Sequence, residues 1–184
     1  MKNSKSTTAD YLDFNFATQT SKDLIQNPKT ATIGIYIAVA VYTGLRFSDL
    51  IKLDWRIFKN GDLTINEQKT GKKRVITFSK NLLSILDPIK KDAGLIFVSQ
   101  KGTPYEIQSL NRILKTIFKN QLLTKNISTH TMRKTYGRQV WELNNRSEAG
   151  LIALMDLFNH SSLGITKAYL GITAEDRANI YLSL

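Results

Sequence analysis

Fifteen consecutive residues from Ala31 to Leu45 carry no charge, and all but Thr32, Gly34, Thr43 and Gly44 are apolar or aromatic. A run like this must be buried, which limits what the chain can fold into. It falls short of the ~20 residues a helix needs to span a bilayer, and it exceeds the roughly 4–8 residues of a buried strand. Its β-branched content would suit a strand, but its length favours a helix. Thr30 to Thr43 is therefore expected to form a buried helix, closed by Gly44 in a left-handed conformation just past its end. The chain has 184 residues, 42% hydrophobic and 22% charged, enough to build one domain around that helix.

Short β-rich runs follow at Trp55–Phe58, Leu63–Glu67 and Arg74–Phe78. The turn signals Asn60-Gly61 and Thr70-Gly71-Lys72 separate them. This pattern predicts a three-stranded antiparallel meander. Helical periodicity returns at Asn81–Lys91, Ile107–Asn120, Thr131–Leu143 and Gly150–Phe158, with Ser128 placed to cap the third of these. The expected fold class is α+β and mainly α, with one small sheet near its start. Met1 to about Thr20 is polar and lacks periodicity, so it reads as an extended lead-in or a linker from an upstream domain.

Charge is distributed unevenly. The formal net charge is +11, from 26 Lys+Arg against 15 Asp+Glu. Lys52–Arg74 holds seven basic residues against three acids and Lys101–Arg138 eight against one, whereas Gln139–Leu184 holds three against five. A polyanion-facing surface is thus expected from the middle of the chain, and a solvated basic face is the alternative reading. Without cysteine there can be no disulfide framework, thiol nucleophile or Cys-based metal site, and two histidines make a His-rich metal site improbable. The N-terminus has no apolar segment after its basic residues and so is not a signal peptide. The expectation is a soluble, cytoplasmic protein that does not use a membrane.

The sequence has no phosphate-binding loop, dinucleotide glycine fingerprint, His-Glu-x-x-His motif or cluster of Mg²⁺-holding carboxylates. Chemistry on nucleic acid would then proceed with side chains alone, with no metal and no cofactor. Four features are suited to such work. Thr43-Gly44-Leu45-Arg46-Phe47-Ser48-Asp49 puts Arg46 just past a helix-ending glycine. Gln68-Lys69-Thr70-Gly71 puts Lys69 at a hairpin tip. His130-Thr131-Met132-Arg133 puts His130 and Arg133 on one helix face. Leu157-Phe158-Asn159-His160-Ser161-Ser162-Leu163-Gly164 is followed by Tyr169.

Together, and in this order, these motifs resemble the tyrosine recombinase (phage integrase) family over about Ile33 to Gly171. The resemblance implies a catalytic domain at 21–172, followed by a tail at 173–184 that could be exchanged between protomers. It implies that Arg46, Lys69, His130, Arg133 and His160 are catalytic and that Tyr169 is the nucleophile, with Asp49 orienting Arg46. It also implies double-stranded DNA as partner, four protomers around two duplexes and a monomer without DNA, in a bacterial, phage or mobile-element setting. Lys72, Lys73, Arg74, Lys134 and Arg138 are the candidate DNA contacts. The family usually has Leu-Gly-His where this chain has Phe158-Asn159-His160, and Asn can take the left-handed turn in place of Gly. A type IB topoisomerase-like enzyme and a DNA-binding regulator on an inactive recombinase fold are the alternatives.

The residue types have a reason apart from the resemblance. A phosphodiester under attack gains negative charge on its non-bridging oxygens, and two fork-shaped guanidiniums can hold that charge without a metal. A tyrosine nucleophile has an ordinary pKa of about 10 and needs a base, for which His130 is the candidate. Lys69 could protonate the departing 5′-oxygen. On one unbroken helix His160 and Tyr169 would be separated by about 13.5 Å of rise and point to opposite sides. Their joint action requires a break, expected at Ser161–Gly164, with a short helix restarting over Ile165–Leu170.

Overall fold

The computed structural model describes residues 8–59, 62–66, 71, 73–121 and 125–172. They form two compact units divided between Tyr136 and Gly137.

The first unit opens with α1 (Phe14–Ile25), whose N-cap Asp13 accepts the Phe16 N–H at 2.8 Å. The stretch expected to be an extended lead-in therefore turns helical at Phe14. Its inward positions are Ala17, Thr18 and Ser21, all buried. Because they are small or polar, hydrophobic periodicity gave no sign of them. They allow α1 to approach α2 (Ala31–Thr43) closely, and the Ser21 hydroxyl donates to the Gly34 carbonyl at 2.8 Å. Ile35 to Val41 of α2 are all buried, as a helix apolar on every side requires. Gly44 ends α2 in the left-handed region at φ 60°, as expected. The short α3 (Phe47–Leu50) follows, with Arg46 at its N-cap.

The expected first strand, Trp55–Phe58, is instead a 3₁₀ turn, Trp55–Lys59. Asp54 explains the change. Its carboxylate accepts the Arg56 N–H at 2.9 Å, and its carbonyl accepts the Ile57 N–H at 3.1 Å. Local side-chain bonding of this kind draws the backbone away from a strand ladder. The sheet among the described residues has two antiparallel strands, β1 (Asp62–Asn66) and β2 (Lys73–Thr77). Leu63 lies opposite Ile76, and Asn66 opposite Lys73. Leu63 and Ile76 point into the core, while Val75 is exposed.

α4 (Lys80–Leu86) is capped by Ser79 and stops short of the expected Lys91, because Pro88 offers no N–H to continue it. α5 (Ile107–Ile117) follows. α6 (Thr129–Leu143) begins with a reciprocal cap. Ser128 Oγ accepts the His130 N–H at 3.3 Å, and Thr131 Oγ1 accepts the Ser128 N–H at 3.0 Å.

The second unit comprises the later turns of α6, then α7 (Glu148–Phe158) and α8 (Leu163–Leu170). At Gly137 of α6 a Cβ would fall 2.7 Å from Leu170 Cδ2 and 2.9 Å from Phe158 Cε2, so α7 and α8 both close on bare backbone there. Asn159 ends α7 in the left-handed conformation expected of it (φ 52°, ψ 52°). The His160 N–H reaches back to the Met155 carbonyl at 2.9 Å, a helix-terminating bond spanning six residues. The helix restarts at Leu163, two residues before the expected Ile165, because Ser162 Oγ accepts the Ile165 N–H at 3.3 Å and caps it. The break is therefore Asn159–Ser162. No helix among the described residues is long and apolar enough to cross a membrane.

Candidate active site

Two groups of the expected residues are assembled, one within each unit. In the first unit, Arg133 lies on the second turn of α6 and is only 4% exposed. Its Nη1 donates to the Gly44 carbonyl. The second arginine motif is thereby fixed to the turn that leads into Arg46, although the two are far apart in sequence. Tyr136, three residues further along α6, closes the same turn from the side: a Cβ on Gly44 would stand 2.3 Å from Tyr136 Cδ1. Gly44 is thus required for its left-handed backbone and its missing side chain, while its carbonyl takes the Arg133 bond. Arg46 is half-buried, with extended backbone (φ −72°, ψ 152°), and its carbonyl receives the N–H groups of Asp49 and Leu50. Asp49 is buried in the first turn of α3. His130 lies one turn before Arg133 and is exposed to solvent. A guanidinium anchored to a backbone carbonyl is held in place before an anion arrives, and the anchor reduces the motion lost when that anion binds.

In the second unit, Tyr169 lies on α8 with its ring edge-on to two others. The centroids are 5.2 Å from His160 and 5.4 Å from Phe158. Phe158 is fully buried and, like Trp141, serves the core as expected. The Asn159–Ser162 corner reverses the chain, so His160 and Tyr169 meet despite being nine residues apart. Thr166, fully buried, brings its Oγ1 to 3.0 Å from His160 Nδ1.

The candidate DNA contacts divide. Lys73 is exposed on β2, and Arg74 pairs with Ile65 in the ladder. Lys69 and Lys72 fall outside the described residues, as does the tail 173–184. Lys134 and Arg138 differ from the expectation of surface contacts, since both are buried. Burial holds the Lys134 ammonium below its ordinary pKa, opposed by the Asp10 charge. The Arg138 guanidinium lies 5.2 Å over the Trp141 ring and 4.0 Å from Glu142 Oε1. On α6 the helical period turns positions 134 and 138 inward together, and local sequence does not indicate which face is covered.

Exposed cations are found instead on α5 and beside it. Arg112, Lys115 and Lys119 are exposed, and an open groove of about 860 Å³ is flanked by Lys29, Lys101 and Arg112. Among the described residues no group of three or more His, Asp or Glu side chains is placed to hold a metal. In sequence Gly44 is legible only as a helix stop, and Tyr136 and Thr166 fall outside the four motifs. For Thr166 the available signal was its position three residues before Tyr169, on the same helix face.

The mainly helical scaffold with its small antiparallel sheet has the fold of a tyrosine recombinase catalytic domain. The sequence model of the phage integrase family matches residues 11–176, and the chain belongs to that family. The probable integrase/recombinase YoeC of Bacillus subtilis (strain 168) is 29% identical over 153 residues, covering 77% of this chain and 78% of that protein. Tyrosine recombinase XerC of Lacticaseibacillus casei (strain BL23) is 26% identical over 153 residues, covering 76% of this chain but 50% of that one. The chain thus spans about half the length of the XerC relatives it matches. Among solved structures, the Tn1549 transposon integrase in complex with a circular intermediate DNA superposes with a TM-score of 0.69 at 17% identity, over 91% of this chain and 63% of that one. XerA recombinase gives 0.64 at 17% identity, over 96% and 65%.

Proposed function

We propose that this chain is the catalytic part of a site-specific DNA recombinase that cuts and rejoins strands through a 3′-phosphotyrosyl intermediate. The observation that carries the reading is the Arg133–Gly44 hydrogen bond, which ties one candidate guanidinium to the turn bearing the other. Arg46 and Arg133 hold the phosphoryl oxygens as negative charge develops. The Tyr169 oxygen attacks phosphorus, its proton passing to His130, and the bond from phosphorus to the 5′-oxygen breaks. Lys69 delivers a proton to that oxygen. His160 supports the phosphate from the α7–α8 corner. The reverse reaction with a partner strand's 5′-hydroxyl reseals the DNA. The phosphotyrosyl link stores the energy of the broken phosphodiester, so ATP is not needed, and the two guanidiniums take the place of a metal.

DNA would lie against the exposed cations of α5 and Lys73, with Lys69 and Lys72 nearby in sequence. The buried Lys134 and Arg138 would maintain the scaffold. Four protomers around two duplexes, with residues 173–184 exchanged between neighbours, complete the reading, in the cytoplasm of a bacterial host. The test is a pool of duplexes randomised around a nick, incubated with the chain and extracted for SDS-resistant adducts. The expected result is an adduct on Tyr169 that disappears in Tyr169→Phe while salt-sensitive DNA binding persists. Adducts that persist in Tyr169→Phe would overturn the reading.

A further inference from the structure

We infer that Thr166 is a positioning residue that holds His160 in the tautomer with its proton on Nε2, so that the ring presents an N–H to the phosphate. The inference rests on the recombinase reading for its consequence, but not for its geometry.

A threonine hydroxyl has one proton to give and can also accept. Two groups compete for that proton. His160 Nδ1 lies 3.0 Å from Thr166 Oγ1, well within hydrogen-bond range, whereas the Ser162 carbonyl lies 3.5 Å away, at its outer limit. Of the two acceptors open to that proton, Nδ1 is the nearer. A neutral imidazole carries one proton, so if Nδ1 accepts, Nε2 must be the N–H. Thr166 is fully buried, which keeps water from competing at its hydroxyl.

The same contact also sets the orientation of the ring. Ser162 caps α8, Thr166 lies on its first turn, and Tyr169 follows on the same face, so one short helix carries the residue that holds His160 and the residue His160 packs against. A donor fixed in orientation before substrate arrives has little left to reorganise as charge builds on the phosphate.

The sequence makes the test clean, because His130 is the only other histidine. The ¹⁵N spectrum of ¹⁵N-histidine-labelled full chain, recorded at about pH 8 where imidazoles of ordinary pKa are neutral, shows two rings, and His130→Gln assigns them. The expected result is a protonated Nε2 and an unprotonated Nδ1 for His160. Thr166→Val keeps the shape without the hydroxyl and should give a tautomer mixture, while Thr166→Ser should restore the single form. On the nicked-duplex pool, adduct formation should slow about tenfold in Thr166→Val and recover in Thr166→Ser. A wild-type ring protonated on Nδ1, or a Thr166→Val spectrum identical to wild type, overturns the inference. The expected spectra without any adduct, even in wild type, would instead overturn the recombinase reading and leave the Thr166–His160 contact standing.

Discussion

Arg133 and Gly44 are 89 positions apart, yet the guanidinium of one donates to the backbone carbonyl of the other. The bond joins the start of α6 to the end of α2 and uses the carbonyl of a residue whose conformation only glycine adopts readily. Arg133→Lys separates holding from charge. Lysine keeps one cation but loses the planar fork that can bond the carbonyl and a phosphoryl oxygen together. Adduct formation should fall by roughly 10²–10³, the range for one lost transition-state donor, while the far-ultraviolet circular dichroism spectrum is unchanged. A Lys variant that cleaves at the wild-type rate would show that a point charge is sufficient.

Gly44→Ala should be among the most destabilising single changes in the first unit. The left-handed backbone costs a residue with a Cβ about 1–2 kcal/mol, and overpacking against Tyr136 adds about 1–3 kcal/mol. Urea denaturation should show a combined loss of about 2–5 kcal/mol. The two terms can be resolved by repeating Gly44→Ala in a Tyr136→Ala background, where only the backbone term should remain. An equal loss in both backgrounds would mean that the Tyr136 ring does not press on this turn.

Asp54 predicts a pH dependence. Its carboxylate bonds the Arg56 side chain at 2.8 and 3.0 Å, and this hydrogen bonding lowers its pKa from 3.8 to about 2. A carboxylate with a depressed folded pKa adds stability above its unfolded pKa and loses it as pH falls through the folded value. The increment is therefore intact above about pH 4 and disappears toward about pH 2. Because the pair is exposed the increment is small. Thermal melts of Asp54→Asn should run below wild type at neutral pH and converge with it near pH 2. Parallel curves across that range would remove Asp54 as the cause.

The parts of the fold legible in sequence were those written in apolar pattern and in residues with special backbone preferences. α2 was readable because it is apolar on every side, and its end because only Gly44 suits it. The α7–α8 corner was readable because Asn tolerates the left-handed region and the Ser-Ser pair can cap a new helix. The 3₁₀ turn was missed because Trp55–Phe58 has strand-like composition, while the preceding Asp54 side chain controls its backbone. α1 was missed in part because its buried face is Ala17, Thr18 and Ser21, chosen for close approach rather than hydrophobicity. Arg46, Arg133 and Tyr169 were recognisable as candidates from local motifs. The burial of Lys134 and Arg138 was not, since it depends on which side of α6 the rest of the chain covers.

Gly137 sets two opposing effects against each other in the helix that supports α8. Replacing it with alanine should favour α6 by about 1 kcal/mol through backbone entropy alone. The new Cβ would meet Leu170 Cδ2 at 2.7 Å and Phe158 Cε2 at 2.9 Å. The leucine tip can rotate, but the phenylalanine ring is fully buried and edge-on to Tyr169. Overpacking of about 1–3 kcal/mol should therefore outweigh the helix gain, giving a net loss of up to about 2 kcal/mol in urea denaturation. The strain falls on residues that locate Tyr169, so adduct formation should decline more than stability does, with DNA affinity little changed. If Gly137→Ala proved more stable and fully active, the close approach of α7 and α8 to that backbone would not be what positions Tyr169.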